Sequence, residues 1–147
     1  MSPEVLELYK LAVEMADRVS ARRGTANAFF LSVQTALIAV MGLSFPELAQ
    51  APWWASAALS AAGLALSATW WLQLRSYRDL NSAKFAVING LENGLPVRIF
   101  ADEWRYLKQD PVPPLRNRYA ELGFSERGVP WVFAAIYLFV FAGRLLG

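Results

Sequence analysis

The sequence contains neither cysteine nor histidine. Without these residues the chain has no disulfide, no thiolate nucleophile, no histidine-based acid/base catalyst and none of the usual ligands of a zinc site. Charged residues are also scarce, at 18% against roughly 25% in an average soluble domain. The net charge of +2 is too small to indicate a nucleic-acid partner. We therefore expect no enzyme activity, no metal or cofactor, no recognisable small-molecule substrate and no bound nucleic acid.

Apolar residues, by contrast, make up 56% of the chain and are concentrated in three blocks. Residues 26–45 and 53–74 carry no charge, and residues 129–146 carry only Arg144 near the end. About 20 apolar residues in a helix match the roughly 30 Å hydrocarbon core of a bilayer. The blocks therefore predict three transmembrane helices. For the third, shorter block the alternative is an apolar tail that packs across its neighbours or lies in the membrane interface.

The segment between the first two blocks, residues 46–52, predicts a reversal of the chain. Its two prolines, Pro46 and Pro52, interrupt helical hydrogen bonding. The first two crossings are therefore expected to form a helical hairpin. Tryptophan pairs close both ends of the second crossing, at 53–54 and 70–71, and indole rings favour the membrane interface, which predicts two aromatic belts.

Lysine and arginine are distributed asymmetrically about the three blocks. Four precede the first block, none lies in the turn, nine lie between the second and third blocks, and one lies near the end of the third. The positive-inside rule therefore places residues 1–25 and 75–128 in the cytoplasm, and the turn and the carboxyl terminus outside. The carboxyl terminus is therefore expected to be periplasmic or extracellular.

Both cytoplasmic segments show helical patterns. In residues 1–25, apolar residues recur on one helical face and no breaker precedes Gly24, which predicts a helix that continues straight into the membrane. A similar stripe after the second crossing ends near residues 93–96. A short helix is expected at about 97–108, followed by an extended, proline-rich connector at 110–114.

Charged residues near the cytoplasmic ends of the crossings predict two kinds of contact. Asp17 and Lys84 lie level in an antiparallel hairpin, which predicts an ion pair. The alternative is that both side chains point into water, because exposed pairs contribute only about 0 to 1 kcal/mol. Five arginines indicate contact with lipid headgroups. They are Arg18, Arg22, Arg23, Arg75 and Arg78.

The first crossing contains one strongly polar position, Gln34, with Ser32 and Thr35 beside it. A buried amide in lipid needs a hydrogen-bond partner, so Gln34 is expected to face another helix or a water-filled space. The pattern is compatible with an interhelical hydrogen bond and with a pore lining.

The second crossing is rich in small residues at helical spacing. They include Ser56, Ser60, Gly63 and Ser67. Small residues let helices approach closely in lipid, where packing drives association. They predict tight contact with the first crossing or with another subunit.

Asp102 and Glu103 are adjacent acids of the kind that bind metals or perform acid/base chemistry. Neighbours on a helix point about 100° apart, and no third group is expected to converge on them. A solvated helix face is the favoured interpretation.

Several short motifs are spread along the chain. They are ADRVSARR at 16–23, NAFF at 27–30, YRDLNSAKF at 77–85, LE at 91–92, LP at 95–96, EW at 103–104 and VPWVF at 129–133. Together they resemble the bacterial RipA-family octameric membrane proteins over nearly the whole chain. The resemblance implies a small inner-membrane protein that assembles as an octamer and has no established chemical activity. The hairpin with cytoplasmic extensions is also similar to the SLATT effector domains, which implies action in a membrane during nucleotide-triggered immunity.

The predicted fold is one all-α integral membrane domain over residues 1–147. It consists of a long helical hairpin, a third carboxyl-terminal transmembrane helix and cytoplasmic helical extensions. The predicted function is that of a non-enzymatic homo-oligomer, octameric by resemblance, whose partners are copies of itself and membrane lipids. The alternative is an oligomeric ion-conducting pore or membrane-permeabilising effector lined by Ser32, Gln34 and Thr35.

Overall fold

The computed structural model describes the backbone of residues 3–109 and 118–146 and the side chains of residues 3–106 and 126–146. Within these residues the chain is 93% helical and contains no strand. It is therefore an all-α protein, as the sequence predicts. The proline-rich connector expected at residues 110–114 lies outside the described residues.

Two long helices form the hairpin. α1 spans Pro3–Leu43. It contains no proline after its first residue, and the prediction that it continues without a break past Gly24 is confirmed. The short helix α2 (Phe45–Gln50) follows α1. α3 then spans Trp53–Glu92 and ends where the sequence predicts, just before the Asn93-Gly94 pair.

The turn between the two long helices is more regular than predicted. A short helix, α2, spans Phe45–Gln50 and has Pro46 in its first turn. A proline is tolerated there because the N–H groups of a first turn have no helical partner. The backbone then extends at Ala51, with φ −70° and ψ 157°, and Pro52 leads into α3. The prolines therefore border a short helix on the path of the reversal.

Two further helices follow the hairpin. α4 spans Ile99–Gln109, close to the predicted 97–108. α5 spans Arg118–Leu146 and so begins well before residue 129, where the third crossing was expected to start. It contains Pro130, which costs the helix one hydrogen bond and is fully buried.

Three stretches of helix are long and apolar enough to cross a bilayer. They lie in α1, in α3 and in the part of α5 from Glu126 to Leu146. Many of their large apolar side chains are exposed, as expected for surfaces that face lipid; Phe29, Leu72 and Phe139 are examples. The chain is therefore an all-α membrane protein with three candidate crossings.

The chain divides into two compact units. The first comprises Met1–Gly24 and Arg75–Ser125, and we name it the extension unit. The second comprises Thr25–Leu74 and Glu126–Gly147, and we name it the membrane unit. The long helices α1 and α3 each contribute residues to both units.

Each unit has its own small core. Buried apolar residues cluster at Tyr9, Ala16 and Ile88 in the extension unit and at Phe30, Trp70 and Leu74 in the membrane unit. In the membrane unit, Trp70 stacks on Phe30 with ring centroids 5.9 Å apart and contacts Phe133 of α5 at 6.0 Å. Aromatic contacts therefore join α1, α3 and α5.

Candidate functional site

A buried polar cluster joins the three long helices of the membrane unit. Gln34 of α1 and Tyr137 of α5 are fully buried, and Ser67 of α3 is almost so. The Gln34 Nε2 donates to Ser67 Oγ at 2.8 Å, and its Oε1 accepts from the Tyr137 hydroxyl at 2.6 Å. Ser67 Oγ donates in turn to the Gly63 carbonyl at 2.9 Å. Each of these side chains therefore finds its partner within one subunit.

Gly63 leaves the room that the cluster needs. A methyl group added at Gly63 would overlap the ring of Tyr137. The missing side chain therefore lets the aromatic ring lie directly against the backbone of α3, as small residues do where membrane helices approach closely. In this position the Tyr137 hydroxyl reaches Gln34 on α1.

The cluster lies deep within the predicted membrane spans. Gln34, Gly63 and Tyr137 each stand near the middle of their predicted crossing. Lipid offers no hydrogen-bond partner at that depth, so polar groups there must satisfy one another. The arrangement can hold three crossings together.

Three contacts fix the direction of α5 within the membrane unit. In order along α5 they are Phe133 with Trp70, Tyr137 with Gly63, and Arg144 with Ala51. In the last of them the guanidinium Nη2 of Arg144 donates to the Ala51 carbonyl at 2.9 Å. Because the partners move back towards the start of α3 as α5 advances, α5 runs antiparallel to α3. Its carboxyl end lies at the level of the turn between α1 and α3.

Trp70 belongs to the core, so the prediction that it lies in an aromatic belt is wrong. The side chain is only 3% exposed, and its indole Nε1 donates to Asn27 Oδ1 at 2.7 Å. A buried indole needs such a partner, which α1 supplies. At the other end of the second crossing, Trp53 and Trp54 are exposed, as a membrane-interface position requires.

The other two residues predicted to line a pore, Ser32 and Thr35, are exposed and lie away from the cluster. The Ser32 hydroxyl donates to the Ala28 carbonyl one turn earlier in α1, at 2.8 Å. A hydroxyl that bonds its own helix in this way is compatible with a lipid-facing position. The structure therefore separates Gln34 from its two sequence neighbours.

The four small residues of α3 all face the interior of the membrane unit. Ser56, Ser60, Gly63 and Ser67 are each buried. Two of them contribute to the polar cluster, whereas the Ser60 hydroxyl has no hydrogen-bond partner among the described residues. The small face of α3 is thus occupied by contacts within one subunit.

The extension unit contains a second buried polar site, at Glu92. This carboxylate is fully buried in the last turn of α3. Its Oε1 accepts hydrogen bonds from the Tyr9 hydroxyl at 3.1 Å and the Phe100 N–H at 2.8 Å, and its Oε2 accepts from the Ala101 N–H at 3.1 Å. Phe100 and Ala101 lie in the first turn of α4, whose N–H groups have no helical partner. Glu92 therefore links α1, α3 and α4.

The surroundings of Glu92 stabilise its hydrogen bond with the Tyr9 hydroxyl. Burial, the hydrogen bond to Glu92 and the charge of Glu92 all raise the pKa of the Tyr9 hydroxyl above its usual 10.0. Tyr9 therefore stays protonated, and its hydroxyl donates a hydrogen bond to the carboxylate. A negative charge also suits the amino-terminal end of α4, where the helix dipole is positive.

The charged residues singled out by the sequence lie mostly at the surface of the extension unit. Asp17 is exposed and Lys84 is half-buried. The ion pairs described between side chains of this unit join neighbours on one helix: Lys10 with Glu7, Arg18 with Glu14 and Arg105 with Asp102. The pair between Asp17 and Lys84 stays a prediction.

The five arginines predicted to contact headgroups are accessible to different degrees. Arg18, Arg22, Arg75 and Arg78 are exposed, and Arg23 is half-buried. Their contact with lipid headgroups also stays a prediction.

Asp102 and Glu103 lie on the exposed side of α4. Asp102 Oδ1 accepts from Arg105 at 2.8 Å, one turn further along the helix. Among the described side chains, those of residues 3–106 and 126–146, no three acidic groups come together to form a candidate metal site. The arrangement fits a solvated helix face.

No structural role for Tyr137, Glu92 or Asn27 was predicted from the sequence. Each carried a physical signal: Tyr137 places a hydroxyl, and Asn27 an amide, inside an apolar block, where each needs a partner. Glu92 places a negative charge in the last turn of a helix, which the helix dipole disfavours. Such a residue is expected to serve another element, and here that element is α4.

Replacing Gln34 with leucine is expected to destabilise the membrane unit by about 1 to 2 kcal/mol, the scale of an interhelical hydrogen bond in a membrane. The change removes the acceptor of Tyr137 and the donor to Ser67. The free energy of unfolding in mixed micelles measures the effect. Thr35→Val is the matched control, because Thr35 is exposed on the same helix and should change little. Equal losses in the two variants would contradict the role given to the cluster.

Comparison with known proteins identifies the family of the chain. No curated protein and no solved structure is significantly similar to the chain. The similarity to the SLATT domains stays a prediction. The model of the octameric membrane protein family, 8xMP, matches residues 6–146, which is nearly the whole chain. This protein therefore belongs to the octameric membrane protein family.

Proposed function

We propose that this protein is a non-enzymatic homo-octamer of the bacterial inner membrane, built from subunits that each cross the membrane three times. The observation that carries the proposal is the closed polar cluster of Gln34, Ser67 and Tyr137, whose hydrogen bonds are used to join three helices of one subunit. Its geometry serves helix packing within the subunit rather than transport or catalysis. The description of the family as octameric supports the subunit number.

The proposed topology has residues 1–25 and 75–128 in the cytoplasm, and the turn and the carboxyl terminus outside. The distribution of lysine and arginine supports this orientation, because none lies in the turn. The contact between Arg144 and Ala51 supports a complete third crossing, since it holds the end of α5 at the level of that turn. An arginine at this depth reaches the interface with its long side chain.

Two carboxylates with engaged partners support the absence of enzyme activity. Glu92 is enclosed and binds backbone N–H groups of α4, and Asp102 pairs with Arg105. A catalytic acid or base needs access to a substrate and a partner that converges on the same atoms. These two acids are engaged in structural contacts instead.

The polar contacts weigh against the alternative of an ion-conducting pore lined by Ser32, Gln34 and Thr35. Gln34 is fully buried with both ends of its amide bonded, so it has little left to offer a passing ion. Ser32 satisfies its hydroxyl within α1. Exposed hydroxyls of this kind fit a lipid-facing surface as well as a pore.

Native mass and conductance test the proposal together. We expect the protein, purified in mild detergent, to have the mass of eight copies, and we expect liposomes that contain it to show no ion conductance. The same liposomes with Ser32→Ala and with Thr35→Val are the controls, because both positions are exposed. A conductance that these substitutions change would replace the proposal with the pore, and a monomeric mass would refute the octamer.

A further inference from the structure

Among the described residues of the extension unit, an apolar face of α1 and α3 is exposed. On α1 the exposed residues are Leu8, Leu11 and Met15, and on α3 they are Leu80 and Val87, with 45% to 60% of each side chain accessible. Residues three, four and seven apart lie on one side of a helix. Each set therefore forms a short stripe, and we name the two stripes together the exposed apolar face.

This face lies on the side of the hairpin away from α4. Phe85 of α3 contacts Phe100 of α4, with ring centroids 5.5 Å apart, and Val13 of α1 packs on the same cluster as Phe100. Val87 is two residues from Phe85 and Met15 is two residues from Val13. Two residues correspond to about 200° around a helix, which turns each stripe away from α4.

Lipid is a poor candidate to cover the exposed apolar face. Met15 precedes the first predicted crossing by about 16 Å of helix, at roughly 1.5 Å per residue, and Leu8 is further still. Charged residues surround the stripe in sequence, including Glu7, Lys10 and Glu14. Large apolar side chains exposed together in water mark a surface that another protein covers.

A second copy of this chain is the occupant that fits. The inference rests on the proposed octamer, and a closed ring of more than two copies requires each copy to offer two different surfaces, one to each neighbour. The exposed apolar face is one such surface. The outer side of α4, on the opposite side of the hairpin, is the other.

The outer side of α4 has matching apolar residues. Ile99 and Tyr106 are 56% and 76% exposed, and they are seven residues apart, which puts them on one side of the helix. Ile99 also borders an open groove against Lys10 and Val13 of α1 in its own subunit. Asp102 lies between Ile99 and Tyr106, three residues after the first and four before the second. Together with the exposed Glu103, these residues form an apolar surface that we name the outer stripe of α4. Arg98, four residues before Asp102, and Arg105, its ion-pair partner, border the same surface.

Charges of both signs border the two surfaces, and some of them can pair between copies. The α1 stripe continues from Met15 to Arg18 and Arg22, three and seven residues later, so its membrane-proximal end is basic. The outer stripe of α4 has Asp102 and Glu103. Arg18 and Asp102 each have a partner within the subunit, in exposed pairs that contribute little and exchange readily. Opposite charges at matching apolar surfaces favour one register of association.

We infer that the exposed apolar face of each subunit binds the outer stripe of α4 of the next subunit, so that the octamer closes through a head-to-tail contact between extension units. The interface joins Leu8, Leu11, Met15, Leu80 and Val87 of one copy to Ile99 and Tyr106 of its neighbour.

Cysteine cross-linking tests this interface without background, since the natural chain has no cysteine. In the variant Leu11→Cys/Tyr106→Cys, oxidation in native membranes should give a ladder of covalent species that extends to eight copies. Each single variant should stay monomeric on a denaturing gel. The control pair is Ser82→Cys/Tyr106→Cys, because Ser82 is exposed but lies about 200° around α3 from Leu80. It should give no ladder.

The native mass of the reduced variants separates the possible failures. Eight copies without a ladder would overturn the interface and leave the proposed octamer standing. A dimer band from Leu11→Cys alone would also overturn it, because the face would then meet itself across a two-fold axis. A ladder from the control pair would show contact without selectivity and would count against it. A monomeric mass would refute the octamer and the interface together.

Discussion

Replacing Glu92 with alanine is expected to release α4 from the extension unit and to lower the free energy of unfolding by about 2 to 4 kcal/mol. The carboxylate accepts from the Tyr9 hydroxyl and from the N–H groups of Phe100 and Ala101. Each buried donor left without an acceptor costs roughly 1 to 3 kcal/mol, and α4 avoids part of that cost by moving into water. The loss should therefore be concentrated in α4.

Hydrogen exchange of the amides of α4 measures this effect directly. In Glu92→Ala the amides of Phe100 and Ala101 should exchange much faster, while those of the membrane unit should keep their protection. In Glu92→Gln the exchange rates should lie between those of the unsubstituted protein and those of Glu92→Ala, because the glutamine amide keeps one acceptor oxygen. Glu103→Ala is the matched control, as it removes an exposed carboxylate from α4 itself. Unchanged exchange in Glu92→Ala would show that the carboxylate does not hold α4.

The long helices were predictable because their signals are local. The uncharged blocks gave the three candidate crossings, and the absence of a breaker before Gly24 predicted the continuity of α1. The sequence did not predict that α5 begins before the third crossing, because the residues before Pro130 are polar and hydropathy reports apolar spans rather than helices. Hydropathy therefore locates the crossings better than the ends of the helices.

The sequence predicted that the buried polar residues need partners, but not which residues those partners are. Gln34 had to find a partner because lipid supplies none, but the sequence does not say that one of its partners is Tyr137, 103 residues away. The small residues of α3 predicted that another helix approaches closely. The sequence did not predict that this helix is α5, which places the ring of Tyr137 against Gly63. Burial of Trp70 depends in the same way on Asn27, whose amide accepts its indole hydrogen.

The two polar sites also show how few side chains define each unit. Glu92 joins three helices through three hydrogen bonds in the extension unit, and Gln34 joins three helices in the membrane unit. Long helices with exposed apolar surfaces can slide or rotate against one another at small cost in apolar contact. Directional hydrogen bonds resist this, because a shift of one residue removes the partner. These hydrogen bonds are therefore expected to set the register of the helices within each subunit.

Replacing Gly63 with alanine is expected to destabilise the membrane unit by about 1 to 3 kcal/mol, as overpacking of a filled interior does. The added methyl group would overlap the ring of Tyr137, which is fully buried and tied to Gln34 by its hydroxyl. The ring can relieve the overlap only by moving away from α3. The hydrogen bond to Gln34 would then lengthen or break. Unfolding in mixed micelles measures the loss.

Glycines elsewhere in the membrane unit provide the controls for Gly63. An added Cβ at Gly42 in α1 or at Gly143 in α5 would meet nothing within 4 Å, so alanine there should be neutral or stabilising by up to about 1 kcal/mol. In a Tyr137→Ala background the ring is gone, and Gly63→Ala should lose most of its cost. If Gly63→Ala were as harmless as Gly42→Ala, or equally costly with and without Tyr137, then α5 would not be held against α3 at this point.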